Sequence, residues 1–141
     1  MGRRRVFISG PIQGMEHDQS YRDRLRDLLT EKGFEPVDPW LREKVVYSTT
    51  GEKWWRNVPS SSFIRRDLED IESCEIFVAY LPMLSAGSCM ELFYAKRRGK
   101  TTVVICKLKN PSPWIVAHSD VMLTTFKEFE GFLEKEAQRR S

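Results

Sequence analysis

Ser85-Ala86-Gly87-Ser88-Cys89-Met90-Glu91-Leu92 joins the apolar run Ile76-Phe77-Val78-Ala79-Tyr80-Leu81 to Phe93-Tyr94-Ala95-Lys96-Arg97-Arg98-Gly99-Lys100, which reads as helix. The run from Glu75 to Leu81 has almost no polar alternation, the mark of a strand buried on both faces in a parallel sheet. A strand that feeds a helix through a turn of small residues is where an α/β domain builds its site, because N–H groups at the helix start meet an anion there. Glu91 falls within the first two turns of that helix. Position alone leaves two readings of it: a carboxylate favoured by the helix dipole, or a nucleophile or base at the mouth of a pocket.

Upstream, Arg5-Val6-Phe7-Ile8-Ser9 predicts a first buried strand, ended by the turn Gly10-Pro11. In Ile12-Gln13-Gly14-Met15, which follows, Gly10 and Gly14 would let backbone approach a ligand, at a spacing that is neither a dinucleotide nor a P-loop fingerprint. Tyr21, Leu25, Leu28 and Leu29 recur at helical spacing, with Gly33 as a C-terminal cap. That spacing makes Tyr21 a core residue first and a pocket residue second. Phe34-Glu35-Pro36-Val37 is a weak second strand cut short by Asp38-Pro39. The segment 40–62, with Trp40, Tyr47, Trp54 and Trp55 among polar residues and Gly51 and Pro59 as breakers, reads as a loop. Such a flap either packs its aromatics on the core or walls the pocket of a planar ligand.

Ser60-Ser61-Ser62 supplies N-cap candidates for a helix whose apolar positions Ile64, Leu68 and Ile71 put Asp67 at the edge of the inward face. After the central helix, Thr101 to Cys106 is a fourth strand, and Ser112-Pro113-Trp114 has the pattern of an N-cap and first-position proline opening a short helix. Val121 to Thr124 is a short fifth strand, and a closing helix from Phe126 to Arg139 turns Phe129, Phe132 and Leu133 inward. Strands alternating with helices predict an α/β fold: a flavodoxin-like, three-layer arrangement with a five-stranded parallel sheet, order 2-1-3-4-5, and helices on both faces. Its switch point lies between the first and third strands, so residues 9–14 and 85–91 form opposite lips of one crevice.

At 141 residues the chain fits one domain, residues 1–141, able to bury roughly two-thirds of its unfolded surface without a disulfide or metal staple. The net charge of +3 is mild and its basic residues are interleaved with acids, so binding to a nucleic-acid polymer is not expected. No membrane-length apolar run and no signal-peptide pattern is visible, and a cytoplasmic location is expected. Cys74, Cys89 and Cys106 have no zinc-site spacing, and Cys74 and Cys106 read as core. A thiol nucleophile at Cys89 helped by His118 is conceivable, although nothing in the sequence brings that His beside it.

The two lips together resemble the nucleoside 2-deoxyribosyltransferase superfamily, which includes the 2'-deoxynucleoside 5'-phosphate N-hydrolases. The resemblance rests on Val6-Phe7-Ile8-Ser9-Gly10-Pro11-Ile12, on Asp67-Leu68-Glu69-Asp70-Ile71, on the strand from Ile76 to Leu81, and on Ser85 to Leu92, with Asp67 24 residues before Glu91. It leaves the segment 40–62 unmatched. It implies a retaining attack on an N-glycosidic bond, with Glu91 as the nucleophile that forms a glycosyl ester and Asp67 assisting or orienting the departing base. A surface residue of an Arg-rich helix is the plainer reading of Asp67. Ser9, Gly10, Ile12, Gln13, Ser85 and Gly87 are the implied substrate-binding residues.

Six residues before Glu91 the transferases typically carry an acid that holds the sugar 5'-hydroxyl, whereas this chain has Ser85, as in the nucleotide hydrolases. A hydroxyl and N–H groups at a helix start bind a 5'-phosphate that an acid would repel. Ser112 resembles the residue that a neighbouring subunit adds to the phosphate site, which implies a homodimer or larger assembly; it also reads as a plain N-cap. The polar ending from Glu134 to Ser141 lacks the terminal aromatic residue of many transferases. Against the hydrolases, the loop from Gly10 to Met15 lacks their basic residue and glycine pair. The expected activity is hydrolysis of a (deoxy)nucleoside 5'-monophosphate to base and sugar phosphate, with no metal and no organic cofactor. The alternatives are a nucleoside 2'-deoxyribosyltransferase and a nucleotide-binding sensor without turnover.

Overall fold

A computed structural model of the protein describes residues 2–49 and 60–140. The chain runs β1 (Arg5–Ser9), α1 (Ser20–Glu31), β2 (Glu35–Val37), α2 (Trp40–Thr49), α3 (Ser60–Glu72), β3 (Ile76–Leu81), α4 (Ala86–Arg97), β4 (Thr101–Cys106), α5 (Pro113–His118), β5 (Val121–Leu123) and α6 (Phe126–Arg140). All five strands are parallel, in the order β2-β1-β3-β4-β5. In the centre Val6 pairs with Ile76 and Ser9 with Ala79, and β3 pairs with β4 from Ile76–Thr101 to Leu81–Cys106.

Alternation along β1 divides the interior into two layers. Val6 and Ile8 pack with Leu25 and Leu29 of α1 and with Phe129 and Leu133 of α6. Phe7 turns to the other face, where it packs with Phe77, Ile71 of α3, Leu92 and Ala95 of α4, and Ile115 of α5. Ser9, two residues on, shares the Phe7 side, and this brings its hydroxyl to the α4 layer. Cys74 and Cys106 are buried in that second layer. Among the described residues no helix is long and apolar enough to cross a membrane.

The structure corrects the sequence reading of 40–62 as a loop, because its first part is the helix α2. Asp38 Oδ1 accepts from the Trp40 N–H at 3.0 Å at its start, and Pro39 immediately precedes it, its carbonyl accepting from the Glu43 N–H at 2.9 Å. The Asp-Pro pair that ends β2 is thus also a helix-start signal. Trp54 and Trp55, with Gly51 and Pro59, lie outside the described residues, and with them the readings placed on that part of the flap. A second correction concerns Ile64, read as inward: it is 52 % exposed, while Ile71 is buried and Leu68 half-buried. The apolar stripe of α3 meets the core only in its last turns, and its first turn borders a cavity.

Candidate active site

α1, which follows β1, packs on one face of the sheet, and α4, which follows β3, packs on the other. The crevice left at the carboxyl ends of those strands holds a cavity of about 880 Å³. Ile8, Ser9, Gly10, Ile12 and Gln13 line it from β1 and the loop after it. Pro39 and Glu43 contribute from α2 and its start, Phe63, Ile64, Asp67 and Leu68 from α3, and the run Leu84 to Tyr94 from α4 and the turn before it. Arg22 of α1 and Trp114, Ile115 and His118 of α5 complete the described wall.

Of the catalytic and substrate-binding residues that the resemblance implies, all but Ser112 line this cavity. Ser112 caps α5, its Oγ accepting from the Trp114 N–H at 3.1 Å. Ser85 caps α4 in the same way, accepting from the Ser88 N–H at 3.2 Å, which leaves the Ser85 hydroxyl proton for another acceptor. The Ser88 Oγ is buried and has no hydrogen-bond partner among the described residues. Gly10 has a structural duty as well: a Cβ there would overlap the ring of Tyr21, whose hydroxyl donates to the Pro11 carbonyl at 3.1 Å. Tyr21 is accordingly core and not cavity wall. Gly14, at φ +91°, takes a backbone conformation that favours glycine and does not line the cavity.

Glu91 projects from the second turn of α4, one turn on from Ser88 on the face that buries Leu92 and Ala95. The Ser9 hydroxyl donates to its Oε1 at 2.6 Å, so strand alternation and helix register meet in one contact. Burial pushes the Glu91 carboxyl up to about 7, with the Asp67 charge adding to the rise and Ser9 and Arg22 opposing it. Asp67 is 7 % exposed, which overrules the surface reading. Its Oδ1 accepts from Arg42 Nη2 at 3.2 Å, and Arg42 Nη1 donates to Asp70 at 3.1 Å. Burial raises the Asp67 carboxyl, against the hydrogen bond with Glu43 and the charge of Arg42.

Two residues at this site escaped the sequence reading. Arg22 is 1 % exposed and donates to Asp38 Oδ1 at 2.8 Å, to the Gly10 carbonyl at 3.1 Å and to Gln19 Oε1 at 2.6 Å. It ties the β1 loop to the start of α2. Its signal was its register, three residues before Leu25 and seven before Leu29, which places it on the inward face of α1. Glu43 is 3 % exposed and lies against Asp67. Finding it required reading Asp38-Pro39 as a helix start.

The thiol alternative finds no support in this geometry. Burial raises the Cys89 thiol, which disfavours its thiolate. The His118 Nδ1 is engaged with the Trp114 carbonyl at 2.6 Å, and its ring stacks on that indole with centroids 6.0 Å apart.

A family model described as nucleoside 2-deoxyribosyltransferase matches residues 6–130 of the chain. No curated protein sequence matches it at a significant level. Among solved structures, a 2-deoxyribosyltransferase from Bacillus psychrosaccharolyticus superposes with a TM-score of 0.69 at 13 % identity, covering 89 % of this chain and 90 % of that one. A 2-deoxyribosyltransferase from Leishmania mexicana gives 0.65 at 17 % identity, covering 93 % and 97 %. The CMP N-glycosidase of Clostridium botulinum gives 0.61 at 22 % identity, covering 94 % and 99 %. At these identities the superpositions establish the shared fold.

Proposed function

Because the chain belongs to the nucleoside 2-deoxyribosyltransferase family, we propose that it cleaves the N-glycosidic bond of a (deoxy)nucleoside 5'-monophosphate, giving free base and sugar 5-phosphate. The carrying observation is a carboxylate, Glu91, held by the Ser9 hydroxyl at 2.6 Å in the same cavity as a second buried carboxyl, Asp67. An oxocarbenium-like transition state needs one carboxylate beneath the sugar and a proton source beside the departing base. In this reading an oxygen of Glu91 bonds to the anomeric carbon as the bond to the base nitrogen breaks, and the base leaves with a proton delivered through Asp67. Water then attacks the anomeric carbon, Glu91 departs as carboxylate, and the proton lost by water returns to Asp67. No step calls for a metal or an organic cofactor.

Three groups support a 5'-phosphate at the start of α4: the Ser85 hydroxyl proton, the unpartnered Ser88 hydroxyl, and the N–H groups of the first turn, with Gly87 leaving room for close approach. Ser9, Gly10, Ile12 and Gln13 would hold the sugar and base from the opposite lip. Replacing Ser85 by Asp is expected to raise KM for a monophosphate at least about tenfold more than KM for the matching nucleoside, since it sets a negative charge against the phosphate. Steady-state kinetics on the two substrates test this, and equal effects would move the phosphate elsewhere.

The functional test is a screen of ribo- and deoxyribonucleoside monophosphates for released base. Transfer of the sugar to a second base is the other reading, favoured by the activity for which the matched family is described. Deoxyinosine mixed with free adenine separates them: a transferase makes deoxyadenosine, whereas the hydrolase leaves the nucleoside nearly untouched and consumes the monophosphate. Nucleotide binding without base release, unweakened by Glu91→Gln, would identify a sensor.

The proposal includes a homodimer. Met90 (74 % exposed), Phe93 and Trp114 (69 % exposed), which also edge the cavity, form with Val116 an exposed apolar surface on α4 and on α5, the helix that Ser112 caps. Pairing of that surface would carry Ser112 towards a neighbouring cavity. Sedimentation should give twice the chain mass, and Val116→Glu, a change outside the cavity wall, should yield monomers with impaired monophosphate cleavage.

A further inference from the structure

Glu43 stands out because nothing assigned to the site so far uses it. It is a buried carboxyl on α2 that lines the cavity together with Asp67 and Glu91. Its Oε1 is buried with no hydrogen-bond partner among the described residues. Arg42 Nη2 stands 3.8 Å from that oxygen, beyond hydrogen-bonding reach, while the same nitrogen is 3.2 Å from Asp67 Oδ1.

The surrounding charges decide how this pair is occupied. Arg42 of α2 is the cation it meets directly, and Arg42 is divided among Asp67, Glu43 and, through Nη1, Asp70. Arg22 of α1 acts on Asp67 and Glu91 from further off but is already bonded to Asp38, which Arg26 also holds. Glu91 of α4 adds another negative charge facing Glu43, and Asp70 adds one facing Asp67. Arg42 and the more distant Arg22 are the cations that act on the pair among the described residues, and two carboxylates in contact do not both ionise against that compensation while Glu91 is also charged, so one proton stays between them. Arg42 lies closer to Asp67, which fixes the negative charge there and the proton on Glu43. Burial and the adjoining Asp67 act in the same direction, pushing the Glu43 carboxyl up to about 10.

We propose that Glu43 and Asp67 hold one proton in common, with Glu43 as its carrier and Asp67 as the face through which it reaches the departing base. This rests on the N-glycosidase reading. An Asp67 ionised by Arg42 has no proton of its own to give, and Glu43 supplies it. As the anomeric carbon–nitrogen bond breaks, its electron pair goes to the base nitrogen, the Glu43 proton moves onto Asp67, and Asp67 passes a proton to that nitrogen; the pair is doubly ionised only while Glu91, whose charge otherwise faces Glu43, is an uncharged ester. The pair gives up one proton in all, and the water that resolves the Glu91 ester restores it. Glu43 is therefore a positioning residue that acts through Asp67.

The test is Glu43→Gln in the full chain, a near-isosteric change whose folding is checked by its thermal unfolding. Base release should fall at least about tenfold at pH 8, and the alkaline limb of the pH–rate profile should move at least about one unit to lower pH. A Glu43 with only a structural role would lower the rate equally at all pH and leave the limb in place, overturning the proposal. A second readout needs no turnover. In a Glu91→Gln background, infrared difference spectra at pH 8 should show an un-ionised carboxylic acid that disappears on adding Glu43→Gln. In the reciprocal variant, Asp67→Asn, the Glu43 carboxyl should ionise at lower pH. If the wild-type protein releases no base from any nucleotide, the N-glycosidase reading fails while the infrared band still decides the shared proton: its absence, or its persistence in Glu43→Gln, overturns it.

Discussion

Glu91→Gln protein is expected to lose base release by at least about 10⁴-fold in kcat while binding nucleotide and folding normally, because the change removes an attacking oxygen and no core volume. The same variant should be more stable than the parent at alkaline pH. The folded-state carboxyl is raised from an ordinary glutamate value to about 7, by burial first and the Asp67 charge second. A raised acid favours the fold fully below its unfolded value, and that contribution is lost as pH climbs through about 7. The parent should therefore weaken between about pH 4.5 and 7, by up to about 3 kcal/mol, and Glu91→Gln should flatten that slope. Activity runs the opposite way, since only ionised Glu91 attacks, and parental base release should rise through pH 7. Denaturation midpoints across pH 5–9 read the first effect and pH–rate profiles the second. A fully active Glu91→Gln would eliminate the ester mechanism, and an unchanged stability slope would mean that the carboxyl is not buried as described.

That opposition between stability and catalysis bears on what the sequence could disclose. The parallel sheet and its order were legible because strand residues such as Ile76 to Leu81 repeat one simple pattern, and because helices of ordinary length separate the strands. Ser9 and Glu91 could be placed on facing lips because strand alternation and helical register are local rules that tertiary contacts did not override. Charged residues inside the fold were harder. Arg22 sits among other Arg and Asp residues of α1, and only its register relative to Leu25 and Leu29 separates it from the solvent-facing ones. Glu43 was hidden by an ambiguity in Asp38-Pro39, where the same two residues end a strand and begin a helix. Ile64 shows the reverse error: an apolar residue in the correct register faces a cavity that interrupts the core. In each case the misreading falls where the molecule gives up local consistency for a site.

Arg22→Met is expected to cost about 3–5 kcal/mol of folding stability, the range for removing one partner of a buried ion pair. The methionine restores most of the volume, so the loss is electrostatic. Asp38 keeps the Arg26 contact at 2.6 Å but forfeits the Arg22 contact at 2.8 Å in a position with almost no access to water. The carbonyls of Ile8 and Gly10 and the side chain of Gln19 lose their donor as well. Urea unfolding should register the change in midpoint with an unchanged slope. Adding Asp38→Asn should recover part of the loss, because a buried charge left with Arg26 as its remaining partner is then gone, and a double-mutant cycle should give a coupling of at least about 1 kcal/mol. Strict additivity would show that the two side chains act independently. The folded fraction of Arg22→Met should bind nucleotide less tightly, because the Gly10 carbonyl that Arg22 anchors belongs to the loop forming one lip of the cavity. Its Glu91 should also ionise at higher pH than the parent's, since Arg22 is one of the two groups that hold that carboxyl down. One substitution in the cavity wall should thus shift stability, substrate affinity and the ascending limb of the pH–rate profile together, in directions set by a single lost guanidinium.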